Sequence, residues 1–328
     1  MLETDTLVEC DDGAKLFIRR WKAESTTGAE KPAGLILVVH GMAEHSLRYR
    51  RLAETLCSRN FEVWAADMRG HGKTAGLSLN SPEKGGFLGH TADHDGFFRV
   101  VSDVKIITKY IAEKTKAEYG DGDLPFFMLG HSWGSFLVQA YIEDPASYLP
   151  LKGCILSGTR GPGGAKIKSG AFLLAIIAAL KGARKFSHIA FNLSTGSYSK
   201  PFKPKRTSYD WITREEKEVD LYVEDPLCGM RCSSGFYRDM IGGLTAIHKT
   251  SAIARIDPNL PVFIFCGGAD PVGDMGASPA ALVTAYRNHG INDLEFVVYP
   301  EARHETLNET NREEVTENLL NWLLRHIP

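Results

Sequence analysis

Short apolar runs alternate with longer amphipathic stretches along most of the chain. Two strand-like runs joined by an Asp-Gly turn at residues 11–13 predict an N-terminal β-hairpin. Six further runs are predicted as strands because each is apolar and ends in or near Gly, Asp or His; they cover residues 34–41, 61–70, 124–132, 151–159, 260–271 and 293–305. Apolar residues recur at helical spacing at residues 48–60, 95–119, 133–141, 278–289 and 312–325. This alternation predicts an α/β fold, with a mostly parallel sheet flanked by helices.

The alternation stops after residue 159 and resumes near residue 251. Between these points an apolar helical run at Ala171–Leu180 is followed by polar and aromatic sequence without a clear strand. We therefore predict a core of residues 1–159 and 251–328 that is interrupted by a mainly helical cap of residues 160–250. The apolar run is shorter than the roughly 20 residues that span a bilayer, so it is either a buried helix or a lipid-facing one.

The charge balance narrows the range of partners. The 328 residues include 38 basic and 40 acidic side chains, and a pI near 6.6 provides no electrostatic field to hold nucleic acid.

The N-terminus carries early acids and no apolar leader, so a cytoplasmic location is expected. The six cysteines are scattered, and the spacing of Cys228 and Cys232 does not match a zinc or redox pair. We expect neither a metal nor a cofactor.

The motif GHSWG at residues 130–134 carries the candidate chemistry, because Ser132 stands in it between two glycines. The pattern G-x-S-x-G places a serine on a tight turn between a strand and a helix, with its hydroxyl exposed. The alternative is an ordinary turn between two buried elements. Apolar runs before and after the motif match a strand, a turn and a helix, and they favour a nucleophile.

A serine nucleophile needs a histidine base and an acid, and the predicted strand ends supply candidates for both. Asp270 stands at the carboxyl end of a predicted strand, where sites on parallel sheets are built, although Asp274 is a nearby substitute. His304 follows the last predicted strand, whereas His326 lies almost at the end of the chain. The order Ser, Asp, His is the one expected on such a sheet, so we predict a triad of Ser132, Asp270 and His304.

Two backbone N–H groups are expected to stabilise the negative charge that forms on the substrate oxygen. Trp133 follows the nucleophile at the start of a helix, and its N–H is the first expected donor. Met42 lies in the loop after the first parallel strand and is the second, because Gly41 lets that backbone approach closely.

Five motifs in one order, HGMAEHSLRY, DMRGHGKT, GHSWGS, GGADPV and YPEARHE, give the chain a family resemblance. They resemble the α/β-hydrolases of the monoglyceride lipase and lysophospholipase type, which are related to the serine aminopeptidases. The resemblance implies the α/β-hydrolase fold and the same nucleophile, acid, base and oxyanion donors. It also implies that Glu44 and Arg48, four positions apart, lie near the polar head of the substrate. Trp133 and Ser135 depart from the Met and Gly usual in the family at these positions.

Several functions are compatible with these residues. The first is a serine carboxylic-ester hydrolase that works through an acyl-enzyme on monoacylglycerol or lysophospholipid-like esters, with a cap that contacts a membrane surface transiently. The second is a short-chain carboxylesterase, or a serine aminopeptidase or amidase whose substrate amine is held by acids at residues 214–225. A ligand sensor without turnover is the third, and an intact triad disfavours it.

Overall fold

The computed structural model describes residues 1–24, 31–77, 79–121, 124–147, 149–194 and 196–327, with backbone alone at 164–168 and 193–194. Eight strands form one sheet in the order β1-β2-β4-β3-β5-β6-β7-β8. They are β1 (Leu2–Glu9), β2 (Lys15–Lys22), β3 (Gly34–Val39), β4 (Phe61–Asp67), β5 (Phe126–His131), β6 (Gly153–Ser157), β7 (Val262–Gly267) and β8 (Leu294–Tyr299). The pairs β1/β2 and β2/β4 are antiparallel, and the other described pairs are parallel. The predicted α/β fold with a mostly parallel sheet is confirmed.

Helices cover both faces of this sheet. They are α1 (Arg50–Cys57), α2 (Gly72–Ala75), α3 (Gly96–Tyr119), α4 (Trp133–Ile142), α5 (Gly164–Lys181), α6 (His188–Ser194), α7 (Glu216–Glu224), α8 (Ser234–Ile247), α9 (Thr250–Ile253), α10 (Ala277–Asn288) and α11 (Arg312–Arg325). Short 3₁₀ turns lie at Ser46–Tyr49, Pro82–Lys84 and Thr306–Asn308.

The core forms two layers, one on each face of the sheet. Along β3, Leu35, Leu37 and Val39 pack in a cluster with α3, α4, α8 and α10. Ile36 and Val38 pack in a second cluster with α1 and α11. This division follows the two-residue period of a strand, and burial on both faces stabilises the fold by about 25 cal/mol per Å² of apolar surface. The sheet is therefore a fixed support for the loops at its carboxyl edge.

The five helices α5 to α9 lie between β6 and β7, where a helical insertion is predicted. Helix α8 contacts α3 and α4 as well as α5, so it joins the inserted helices to those that cover the sheet. On α5, Leu174 and Ile177 are buried, whereas Phe172 and Leu180 are 72% and 82% exposed. The predicted apolar run thus has a buried side and an exposed side. The division into core and cap at residues 160 and 250 stays a prediction.

None of the helices within the described ranges combines the length and the apolar character that a bilayer crossing requires.

Candidate active site

Ser132 stands on a strained turn between β5 and α4. Its backbone has φ +52° and ψ −122°, in a region that favours glycine, and its N–H donates to the carbonyl of Ser157 at 2.9 Å. The two glycines of the motif are needed for close packing. A Cβ at Gly134 would lie 2.1 Å from the carbonyl oxygen of Val39, and one at Gly130 would lie 2.6 Å from the carbonyl oxygen of Gly134. The local sequence therefore allows the turn that lifts the serine from the sheet.

His304 and Asp270 form a buried hydrogen-bonded pair. Nδ1 of His304 donates to Oδ2 of Asp270 at 2.9 Å, and the Val272 N–H donates to Oδ1 of the same carboxylate at 2.8 Å. Asp270 comes three residues after β7, and His304 lies in the loop after β8. Burial opposes protonation of His304, but the charge and hydrogen bond of Asp270 outweigh it and raise the pKa of the imidazole above its ordinary value. The acid thus orients the ring and favours its charged form.

Asp274, the substitute acid, has a different partner. Its Oδ2 accepts a hydrogen bond from Nη2 of Arg160 at 2.6 Å. Arg160 also donates to the Val272 carbonyl at 2.7 Å, so this ion pair braces the loop that contains Asp270.

Ser132 and His304 line a common cavity of about 640 Å³. The loops after β3, β5, β6, β7 and β8 all contribute to its wall, as do α5, α8 and the chain between α6 and α8. Met42 and Trp133, the expected oxyanion donors, line the same cavity. Sites on open parallel sheets are built at this edge, and the volume is that of a small-molecule pocket.

The loop that contains Met42 is fixed by bonds on both sides. The Gly41 N–H donates to Oε1 of Glu44 at 2.6 Å. Ala43, with φ +59°, has a carbonyl that accepts from the hydroxyl of Tyr222 and the N–H of Gly229, each at 2.9 Å. Residues from the predicted cap therefore hold the backbone of this loop.

Glu44 and Arg48 belong to a buried ionic network. Arg48 contacts Glu44 at 2.7 Å and Glu305 at 2.6 Å, and the Tyr49 hydroxyl donates to Glu44 at 2.9 Å. Burial raises the pKa of Glu44, but Arg48, together with His131, His40 and the Gly41 N–H, outweighs this effect and lowers it to about 2. Burial likewise opposes the charge of Arg48, yet Glu305 and Glu44 raise its pKa well above the ordinary value. Burial raises the pKa of Glu305 as well, but the charge and hydrogen bonds of Arg48 lower it below the ordinary value. Glu44, Arg48 and Glu305 are thus charged, and Arg48 links the loop after β3 to the loop after β8.

Several residues at the site were not found by sequence reasoning. Glu305 and His131 each lie next to a proposed catalytic residue in the chain, and both line the cavity. The ring centroids of His131 and His304 are 4.8 Å apart. Burial and the neighbouring His304 lower the pKa of His131 to about 4. Trp211 contacts His304 at 5.1 Å between ring centroids, although no motif marks it. Glu305 and His131 could have been identified from the sequence, because each is adjacent to a predicted triad residue.

Three of the acids at residues 214–225, where the aminopeptidase alternative requires amine binding, have other partners. Glu218 pairs with Arg51, Asp220 with Arg206. Asp225 accepts from His45 at 2.9 Å. None of these three carboxylates lines the cavity within the described residues.

One group of residues in the described ranges could hold a metal ion. The ligand atoms of His45, Asp225 and Cys228 lie within 4.8 Å of one another, and the hydrogen bond between His45 and Asp225 already accounts for two of them. Cys228 and Cys232 are free and buried, and burial raises the pKa of both thiols. The sulfurs therefore pack as small apolar groups.

Known proteins that are similar to this chain are hydrolases. The family model Hydrolase_4, described as serine aminopeptidase, S33, matches residues 30–311. The monoglyceride lipase of Rattus norvegicus is 28% identical over 314 residues, which are 92% of this chain and 86% of that protein. The monoacylglycerol lipase of Mycolicibacterium smegmatis is 25% identical and covers 90% of each chain.

Solved structures extend the similarity to the fold. A carboxyl esterase from Bacillus coagulans, solved with glycerol, superposes with a TM-score of 0.85 at 24% identity and full coverage of both chains. A monoglyceride lipase variant from Saccharomyces cerevisiae gives 0.75 at 21% identity, over 100% of this chain and 96% of that one. The resemblance to hydrolases of the monoglyceride lipase type is confirmed. The chain belongs to the serine aminopeptidase S33 family of α/β-hydrolases.

Proposed function

We propose that this hydrolase is a serine carboxylic-ester hydrolase that cleaves monoacylglycerol-type, single-chain lipid esters through an acyl-enzyme. The observation that carries the proposal is the shared cavity: Ser132 on its strained turn and His304, bonded to buried Asp270, both line it. The relatives named monoglyceride lipase support the choice of substrate.

The same groups act in both halves of the proposed reaction. His304 takes the proton of the Ser132 hydroxyl as Oγ attacks the ester carbonyl, and Asp270 stabilises the imidazolium. The N–H groups of Met42 and Trp133 donate to the oxyanion. The imidazolium then gives its proton to the leaving alcohol, and the acyl-enzyme forms. Water then attacks the acyl carbonyl while His304 takes its proton, the bond from that carbon to Oγ of Ser132 breaks, and the imidazolium returns the proton to Oγ as the fatty acid leaves.

The acyl chain has an apolar wall available in the cavity. Leu173 and Leu174 come from α5, and Met240 and Leu244 come from α8. Each CH₂ buried against such a wall contributes roughly 0.8 kcal/mol, so binding should improve with chain length until the pocket is full. We therefore favour acyl chains longer than about eight carbons.

The head of the substrate faces a polar part of the cavity in this proposal. Glu44 lines the cavity and is the candidate for contact with a hydroxyl. Arg48 acts on that site through Glu44 and Glu305, the two lining carboxylates that it bridges.

Transient contact with a membrane surface is part of the proposal. Phe172, Leu173, Ile176 and Leu180 on α5 are exposed, together with Ile189 on α6. Exposed apolar residues concentrated on one element are typical of a surface that meets lipid. The cytoplasmic location expected from the N-terminus stays a prediction.

Two experiments test the function. Ser132→Ala should reduce the esterase activity by roughly a thousandfold or more and should abolish labelling by a fluorophosphonate. The control is Ser208→Ala, which replaces a second serine of the cavity wall and should still be labelled on Ser132. Labelling of another residue in the wild type contradicts the assignment.

The second experiment is a panel of nitrophenyl esters and monoacylglycerols with acyl chains from about two to about sixteen carbons. We expect a burst, steady turnover and a kcat/KM that rises with length. A maximum at acetate or butyrate would make the protein a short-chain esterase. Hydrolysis of aminoacyl amides alone would make it an aminopeptidase, which the pairing of Glu218, Asp220 and Asp225 outside the cavity disfavours. A burst without turnover would indicate a sensor.

A further inference from the structure

The loop that contains His304 is paired with a segment of the chain between α6 and α7. The N–H of Glu305 donates to the Ile212 carbonyl at 2.6 Å, and the N–H of His304 donates to the Trp211 carbonyl at 3.4 Å. These bonds join residues that are about ninety positions apart in the sequence. The backbone of the proposed base is therefore held by a segment that lies outside the sheet.

Side chains reinforce this connection next to the two backbone bonds. The guanidinium of Arg303 donates to the carbonyls of Asp210 and Thr213 and lies 4.3 Å from the centroid of the Phe202 ring. The Thr213 hydroxyl donates to the Asn308 carbonyl at 2.9 Å. With so many independent bonds, replacing one side chain in the segment should leave the backbone pairing in place.

Trp211 places its indole against the imidazole of His304. The ring centroids are 5.1 Å apart with an interplanar angle of 38°. Tyr198 meets the indole edge-on at 5.1 Å and limits its rotation. Trp211 is 9% exposed and lines the cavity together with His304, so the contact between the two rings is largely shielded from bulk water.

We propose that Trp211 is a positioning residue of the hydrolase, which orients His304 and stabilises the imidazolium that forms when the base takes a proton. The proposal rests on the proposed function, in which His304 is that base. The face of an indole attracts a cation and attracts a neutral ring less, and the attraction is strongest where water is excluded. Trp211 therefore favours the protonated state in the same direction as Asp270.

Other charged and titratable groups face His304 and must be held constant in a test. Asp270 comes from the loop after β7, Glu305 from the loop of His304 itself, and Glu44 from the loop after β3. His131 contacts the imidazole from the end of β5, and burial keeps it neutral by lowering its pKa. Trp211 carries no charge, so its replacement by another apolar residue leaves the charges around His304 unchanged.

Trp211→Leu keeps an apolar cover over the imidazole and removes the aromatic face. We expect the pKa of His304 to fall by roughly half to one unit. Because the base must be neutral for attack, the acid limb of kcat/KM should move to lower pH by the same amount. The plateau kcat should fall by roughly three- to tenfold, since the transition state contains the imidazolium. Trp211→Phe should show a smaller shift in the same direction.

The control is Tyr209→Leu, which removes a cavity-lining aromatic two residues away that contacts Tyr222. The acid limb of its kcat/KM profile should stay at the wild-type pH. The pKa of His304 is also read without substrate, from the Nδ1–H proton resonance across a pH titration. A protein with no esterase activity would overturn the proposed function, while this titration would still decide the role of Trp211.

An unchanged His304 pKa in both Trp211 variants overturns the inference, as does a change in KM or in thermal stability without a shift in the acid limb. If the Leu variant fails to fold, the Phe variant decides: a shift toward lower pH supports the role, and no shift overturns it.

Discussion

Glu143, directly after α4, is a buried carboxyl whose replacement should change how the free energy of unfolding depends on pH. It is 3% exposed, and its Oε1 has no hydrogen-bond partner within the described residues. Arg255 donates to the backbone carbonyl of Glu143 at 2.8 Å. Burial raises the pKa of the carboxyl from 4.5 to about 9, and Arg255 offsets only part of this effect. The folded protein therefore holds Glu143 protonated at neutral pH.

The stability cost follows from proton linkage. Above pH 4.5 the unfolded chain releases this proton and the folded chain keeps it until pH is near 9, so the free energy of unfolding falls as pH rises across that window. Each pH unit costs about 1.4 kcal/mol, so the rise from pH 5 to pH 8 costs about 4 kcal/mol. Glutamine has the shape of glutamate but no proton to release. The free energy of unfolding of Glu143→Gln should therefore not fall with rising pH for this reason.

Urea unfolding of the wild type and of Glu143→Gln at pH 5, 6, 7 and 8 measures the effect. The variant should gain stability relative to the wild type with rising pH, by about 4 kcal/mol over the series. Glu317→Gln, an exposed glutamate on α11, is the control and should show a constant difference. A difference for Glu143→Gln that does not depend on pH would refute the reasoning, because it would mean that the folded carboxyl is already ionised at pH 5.

Two further predictions concern the site. Gly134→Ala should lose most activity and roughly 1–3 kcal/mol of stability, because its Cβ would lie 2.1 Å from the Val39 carbonyl oxygen. Gly242→Ala, whose Cβ meets no described heavy atom within 4 Å, should gain up to about 1 kcal/mol when both variants are compared with the wild type by urea unfolding. Asp270→Asn should reduce kcat by roughly 10⁴-fold with the fold intact by circular dichroism, whereas Asp274→Asn should reduce it far less. The reverse order in the two Asn variants would move the acid role to Asp274.

The strands and the motif around Ser132 could be predicted because their causes are local. Apolar runs of strand length define β3 to β8, and two glycines permit one tight turn. The contact between His304 and Asp270 needed one additional rule, namely that the carboxyl ends of parallel strands meet at one edge. Fold and candidate triad thus follow from short patterns and the order of the elements.

Contacts between distant loops could not be predicted in the same way. The resemblance implied that Glu44 and Arg48 lie near the head of the substrate, but it did not indicate Glu305, which is 257 residues from Arg48 and bonds to it. Trp211 lies in a segment without periodicity, so nothing local placed its ring on His304. The apolar run in α5 was ambiguous because side-chain exposure depends on the packing of α8 against one side only.

The carbonyl of Ala43 accepts one bond from Tyr222 and one from Gly229, so the loop that carries an expected oxyanion donor takes its shape from two points outside the sheet. Exchange of this whole region with that of a distant relative would remove both donors unless the replacement offers a hydroxyl and an N–H at the same places. A chimaera that retains residues 222–229 and replaces only the sequence around α5 and α6 would leave these two donors unchanged. We therefore expect substitutions in α5 and α6 to alter the acyl specificity and to leave these two hydrogen bonds intact. Substitutions between Tyr222 and Gly229 should require compensating changes in the loop after β3.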